Sequence, residues 1–297
     1  MKIVEFNNIH RAYRKGHDVL RGLSFSIEPG EVVGLLGKNG AGKTTLIRIA
    51  MGMLEAQQGF VRLFGLDPRE KQIEVKRRVG YVSEDQILPE HLRVREIIQL
   101  HRGLYPTWDP RLEVELCKRF DIPMGALIKT LSKGQAKQVA LLCAVAHRPE
   151  LLILDEPAGG LDPAVRREFL ETAIELLNET GSTILFSSHY MSDVERLAGR
   201  VVMIHDGVVL IDNDLDDLRE KFTLVLVPKD SGLDRERLGS LDGCLAVRER
   251  NNTWHLILQH PLPKAREIAG RELAAAGMRC EVIPLEEMFI ELAGGRP

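Results

Sequence analysis

With 297 residues, 44% of them hydrophobic and 28% charged, the chain has the make-up of an ordinary soluble globular protein. That excludes disordered, collagenous and membrane-embedded classes and leaves room for one large domain and a smaller one. A formal net charge of −3 excludes the concentrated basic surface that draws a domain to nucleic acid, and the short basic run Lys76, Arg77, Arg78 reads as a solvated helix face.

Residues 1–36 alternate apolar and polar positions around turn signals such as Pro29-Gly30 and predict a short set of β-strands leading into the run Val32–Leu36. A glycine-rich loop follows, then helical character over Thr45–Leu54. Between about residues 85 and 148, apolar positions at three- and four-residue spacing predict helices over Val94–Leu104, Arg111–Phe120 and Gly134–Ala146, a helical insert. The segment Leu104–Asp109 inside it reads as a packed turn between helices. The short apolar runs Leu151–Leu154 and Thr183–Phe186, separated by a helix over Pro163–Leu177, predict a buried parallel sheet.

From about Asp216 the pattern changes to strands over Thr223–Val227, Leu245–Arg250, Thr253–Gln259 and Cys280–Pro284, with a hairpin turn at Asn251-Asn252 and a helix over Lys264–Ala276 ended by Gly277. The predicted domains are therefore 1–215 and 216–297. Cys117, Cys143, Cys244 and Cys280 form no C-x-x-C pair, so they read as reduced, mostly buried thiols. The N-terminus lacks a secretory apolar stretch, and no run approaches the roughly 20 apolar residues that cross a bilayer, so the expected location is cytoplasmic.

The chemistry-bearing signal is Gly37-Lys38-Asn39-Gly40-Ala41-Gly42-Lys43-Thr44, a full match to the phosphate loop G-x-x-x-x-G-K-[ST] in the required order of strand, loop and helix. Glycines let backbone N–H groups turn inward around an anion, and the following helix N-terminus adds a favourable dipole. Lys43 is then expected to neutralise the β- and γ-phosphates and Thr44 to ligate Mg²⁺. The run Leu151–Leu154 ends in Asp155 and Glu156, one carboxylate to hold Mg²⁺ and one to orient or deprotonate the attacking water. The run Thr183–Phe186 ends in Ser187-Ser188-His189, which brings an imidazole to the same sheet edge, where it could sense the γ-phosphate.

Leu131-Ser132-Lys133-Gly134-Gln135, standing before the acidic strand, makes the chain resemble the ATP-binding subunits of the ABC transporter family over about residues 2–215. The resemblance implies an α/β P-loop NTPase of ABC ATPase type, with an N-terminal antiparallel β-subdomain and the helical insert, followed here by a small C-terminal α/β domain. It implies a nucleotide site of Tyr13 stacked on adenine, Gly37, Asn39, Gly40, Ala41, Gly42, Lys43, Thr44 and Thr45 around the phosphates, and Glu156, His189 and Lys43 in hydrolysis. Thr44, Asp155 and position 84 would face Mg²⁺. Ser132, Gly134 and Gln135 would cap the ATP held by a second ABC ATPase subunit, a copy or a sibling, in a head-to-tail dimer.

The implied partner is a separate membrane permease, with the chain peripheral on the inner face of the membrane. Three positions depart from the family pattern: Glu84 stands where many relatives have glutamine, Lys133 replaces the second signature glycine, and Gly159 replaces a serine before Leu161-Asp162. Gln86 is a nearby substitute for the missing glutamine. Glu84, the 104–109 segment and the ending Pro284–Phe289 resemble bacterial subunits that serve exporters. The alternative is a soluble ABC ATPase acting on DNA or the ribosome, which the single cassette and the absence of basic excess disfavour.

Overall fold

The computed structural model describes residues 2–14, 16–84, 88–157, 159–178, 181–273, 277–285 and 287–288. In chain order the first part contains β1 (Val4–Arg14), β2 (His17–Ile27), β3 (Val32–Leu36), α1 (Lys43–Ala50), β4 (Gln58–Leu63), α2 (Gln72–Arg78), β5 (Val79–Val82), α3 (Val94–Leu104), α4 (Pro110–Arg119) and α5 (Lys133–Val145). It continues with β6 (Leu151–Leu154), α6 (Pro163–Asn178), β7 (Thr183–Ser188), α7 (Met191–Leu197), β8 (Arg200–His205) and β9 (Val208–Asp214). Then follow α8 (Leu215–Lys221), β10 (Thr223–Pro228), α9 (Arg235–Gly239), β11 (Cys244–Arg250), β12 (Thr253–Leu258), α10 (Leu262–Glu272) and β13 (Arg279–Val282).

Two compact units meet between Asp212 and Asn213, so residues 213–215 group with the second unit rather than the first. The first unit holds two sheets. β2, β1 and β4 form an antiparallel sheet in which Val4 and Phe6 alternate with polar residues and a register shift at Asn7-Asn8 brings Ile9 back to the core, with the Phe6 and Phe25 rings 4.8 Å apart. The second sheet has the order β5-β6-β7-β3-β8-β9, and its strands from β5 to β8 run parallel. Every residue of β6 and β7 is buried, so neither strand alternates: β6 is apolar throughout, and β7 carries the apolar run Ile184–Phe186 between Thr183 and Ser187.

A parallel sheet carries its ligand-facing loops at the carboxyl ends of its strands. Here β3, β6 and β7 are neighbours, so the loops after Leu36, Leu154 and Ser188 open on one edge. Helix α1 starts at Lys43, two residues before the predicted start, and stops at Ala50 because Gly52 adopts φ 67° and turns the chain out of the helix.

The insert folds as predicted within a residue or two, with termini that the side chains explain. Asp109 caps α4 by accepting from the Arg111 and Leu112 N–H groups, with Pro110 at the first helical position. The Tyr105 ring stacks on His147 at 3.9 Å, so the 104–109 segment is a packed turn. In the second unit the antiparallel order is β11-β12-β10-β13, and Asn251 and Asn252, both at positive φ, turn the β11–β12 hairpin. Leu238 of α9 and Ala265, Ile268 and Ala269 of α10 pack with Val225, Val227, Leu256 and Leu258 into its core. All four cysteines are free, but Cys143 alone is fully buried; Cys117, Cys244 and Cys280 are half-buried.

Candidate functional site

Strand β3 delivers the chain to the loop Gly37–Gly42, whose backbone is shaped by glycines at φ 85° (Gly40) and φ 106° (Gly42). A Cβ at Gly42 would also lie 2.6 Å from Leu20 Cδ2 and 3.0 Å from the Val19 carbonyl, so this position needs glycine for both conformation and space. Lys43 and Thr45 are buried at the start of α1, while Asn39 and Gly40 are exposed and Ala41 is half-buried. The Lys43 ammonium donates to the Gly37 carbonyl at 2.7 Å and lies 3.1 Å from Glu156 Oε1, an ion pair of two nearly inaccessible groups.

The two acids stand at the end of β6. Asp155 Oδ1 accepts from Thr44 Oγ1 at 3.1 Å and from Ser187 Oγ at 2.8 Å. Burial pushes the Asp155 carboxyl above the usual carboxylate range, a shift that the Ser187 and Thr44 hydrogen bonds oppose and the neighbouring Glu156 charge reinforces. Ser187 Oγ also accepts from the Glu156 N–H at 2.8 Å, so one hydroxyl at the end of β7 braces both acids. Glu156 holds φ 43°, a left-handed conformation that a non-glycine residue keeps only where its surroundings impose it. Its other oxygen, Oε2, is 2.8 Å from His189 Nδ1. The His189 ring lies against Tyr190 at 4.0 Å, and Tyr190 in turn receives the Arg166 guanidinium at 3.9 Å.

Tyr13, Val19, Asn39, Gly40, Gly42, Lys43, Thr44, Thr45, Glu84 and Glu156 line a cavity of about 430 Å³. Tyr13 presents an exposed ring there, with its hydroxyl 3.2 Å from Thr45 Oγ1 and the Arg11 guanidinium 5.5 Å from the ring centre. Glu84 reaches this cavity, whereas Gln86 lies outside the described residues. Larger cavities of about 790 Å³ beside α2 and about 830 Å³ in the second unit lack the glycine loop and the paired acids, so volume alone does not locate the chemistry.

Ser132, Gly134 and Gln135 stand apart from this lining. They open α5 as a capping box: the Gln135 N–H donates to Ser132 Oγ at 3.2 Å, and Gln135 Oε1 accepts from the Ser132 N–H at 3.0 Å. Lys133 is exposed. Ser187 and the buried Lys137, whose ammonium donates to the Gly159 carbonyl at 2.8 Å, escape sequence reading because they meet their partners across 32 and 22 residues of chain.

The fold agrees with comparison to known proteins. The sequence pattern of the family described as "ABC transporter" matches residues 20–159. The ABC transporter ATP-binding protein NatA of Bacillus subtilis (strain 168) is 37% identical over 207 residues, 68% of this chain and 84% of that one. The chain belongs to the ABC transporter ATP-binding family. It is therefore an ABC ATPase, which binds ATP and hydrolyses it. The ABC transporter ATP-binding protein YtrB of Bacillus subtilis (strain 168) is similar from end to end, 29% identical over 99% of both chains. A solved structure described as an ATP-binding subunit of an ABC transporter is 29% identical with a TM-score of 0.66, over 73% of this chain and 92% of that one.

Relatives named for export and relatives named for import are both among the matches to this ABC ATPase. One further solved structure, 26% identical with a TM-score of 0.62 over 73% of this chain and 90% of that one, is described as cbiO1 from Clostridium perfringens, part of the ABC transporter complex cbiONQ. No helix among the described residues is long and apolar enough to cross a membrane.

Proposed function

We propose that this ABC ATPase powers a separate membrane permease of the exporter type, lying at the inner face of the membrane through that partner. The observation that carries the reading is the linked set Lys43–Glu156–His189 beside the Thr44–Asp155 pair, all on one sheet edge. In this reading the amides of residues 37–45 and Lys43 cradle the β- and γ-phosphates, and Tyr13 stacks on the adenine. Lys43 exchanges Glu156 for phosphate oxygens, which frees Glu156 to orient the attacking water and accept its proton. His189 steadies the Glu156 carboxylate and meets the γ-phosphate.

The donor set fits Mg²⁺, because Thr44 Oγ1 and Asp155 Oδ1 are hard oxygens 3.1 Å apart and Glu84 reaches the same cavity. No group of three His, Cys, Asp or Glu among the described residues could hold a metal alone, which suits an ion that keeps waters and takes its remaining ligands from substrate phosphates. When bound, Mg²⁺ supplies charge neutralisation on the β- and γ-oxygens.

Ser132, the Gly134 amide and Gln135 open a helix N-terminus away from the chain's own cavity, which supports their capping the ATP of a second subunit in a head-to-tail dimer. ATP then stabilises the closed pair, and hydrolysis removes the bridging γ-phosphate and returns it toward the open form. Exposed Leu100, Leu104 and Val114 on α3 and α4 support a permease-facing surface on the insert. The resemblance carried by Glu84 and the 104–109 segment supports outward transport.

The catalytic assignment is tested by Glu156→Gln, which should lower phosphate release by about 100-fold or more while ATP binding is kept; undiminished hydrolysis refutes it. The partner is tested by purification from native membranes. A permease should accompany the chain, and recovery with ribosomes or DNA instead overturns the assignment.

A further inference from the structure

Lys137 lies on α5, one helical turn beyond the Ser132–Gln135 capping box, and is 6% exposed. An ammonium taken out of water must be matched by acceptors, or the fold would shed it. Its acceptors lie on the loop that carries Glu156: the Gly159 carbonyl at 2.8 Å and, at the limit of hydrogen-bond distance, the Glu156 carbonyl at 3.5 Å. The Glu156 carbonyl also receives the Gly159 N–H at 3.0 Å, which closes the turn.

Glu156 sits at φ 43°, so something outside its own backbone preference must hold it there. Ser187 Oγ accepts from its N–H, and Lys43 and His189 engage its carboxylate. Lys137 holds the same residue and its turn through their carbonyls. Neither nucleotide nor water needs to touch Lys137 for this effect, and it is absent from the cavity lining.

We infer that Lys137 is a positioning residue for ATP hydrolysis: it clamps the Glu156–Gly159 turn to the helix that begins at Ser132, and so sets the direction of the Glu156 carboxylate. The inference rests on the proposed role of Glu156 as the base. The same clamp joins the helix that would meet a second subunit's ATP to the acid that acts on this subunit's own.

The test compares Lys137→Met, which keeps length and loses the donors, with Lys137→Arg, which keeps a cation and donors, and with Glu156→Gln as reference. All are assayed as full chains for phosphate release against ATP concentration and for ADP binding by calorimetry. Lys137→Met should lower kcat by about tenfold or more, with KM for ATP and the ADP affinity within about twofold of the parent, and Lys137→Arg should recover most of the rate. Parent-like kcat in Lys137→Met overturns the inference, as does a fall in ADP affinity parallel to the rate. Should Lys137→Met fail to fold, Lys137→Arg decides alone: substantial turnover with native ADP binding supports the clamp, and no turnover with native ADP binding overturns it. A fully active Glu156→Gln sinks the assignment of the base, whereas an inactive Glu156→Gln beside a fully active Lys137→Met sinks only the clamp.

Discussion

Glu113 in the helical insert and Glu156 at the sheet edge are buried to the same degree, 5% and 6% exposed, yet their surroundings differ in kind. Glu113 is enclosed by permanent partners: Arg102 Nη2 at 2.6 Å and Trp108 Nε1 at 2.7 Å. Glu156 is held by Lys43, which lines an open cavity, and by His189, and its own backbone is strained. Burial of a charge therefore does not mark a working site. The mark is partners that can be exchanged for a ligand, and a conformation the rest of the fold must enforce.

The histidines repeat the contrast. His147 is inaccessible, stacked on Tyr105, and burial holds its pKa down at about 4, with the backbone of Val79 and Cys143 opposing in part. His189 is a third exposed, with its Nδ1 2.8 Å from Glu156.

Four experiments would break or sharpen this division. The largest effect is expected at Glu156: Glu156→Gln should cost about 100-fold or more in turnover with little change in melting temperature, whereas Glu113→Gln should leave kcat of the folded protein near that of the parent. Equal rate losses in both would erase the distinction. Next comes His147, which has a folded pKa near 4 against an unfolded value near 6.5. The unfolded chain binds its proton first on acidification, so stability is fully present above the unfolded value and is lost as pH falls toward the folded one, by up to roughly 3 kcal/mol. Urea unfolding across that range should show the loss in the parent and a flatter profile in His147→Leu; identical profiles would show that His147 is not a source of the pH dependence.

Third, Glu113→Ala should destabilise the first unit by about 2 kcal/mol, chiefly by leaving the Trp108 N–H buried without an acceptor, since Arg102 can turn to water. A denaturation midpoint unchanged from the parent would contradict the permanent-partner account. The smallest effect is expected at the α4 cap, where Asp109→Ala should cost about 1 kcal/mol by freeing two amide groups and the Arg148 contact. A larger loss of turnover than of stability there would place the insert's turn in the catalytic path.

The division also explains what could be read without coordinates. Gly37–Thr44 is contiguous, so its spacing carries its function, and the insert helices α3, α4 and α5 announce themselves through long apolar periodicity. The runs forming β6 and β7 were legible because consecutive apolar residues, Leu151–Leu154 and Ile184–Phe186, are each followed by polar residues that carry chemistry. Strands β4, β5, β8 and β9 were not: each is only four to seven residues long, and such lengths carry too little pattern to separate strand from the edge of a helix.

Asp155, Glu156 and His189 were readable as candidates from their places at strand ends. Ser187, which braces both acids, looked like one more strand-end serine until β7 was set beside β6. Lys137 carried no signal in the sequence, because nothing in the local spacing reports that its ammonium reaches the Gly159 carbonyl.

A crystal structure with Mg²⁺ and a nonhydrolysable ATP analogue tests the central claim most directly. The account predicts the triphosphate inside the loop from Gly37 to Thr45, with the Lys43 ammonium moved from Glu156 to phosphate oxygen and the Glu156 carboxylate turned toward the water opposite the terminal phosphate. A nucleotide bound elsewhere, with Lys43 still 3.1 Å from Glu156, would contradict it.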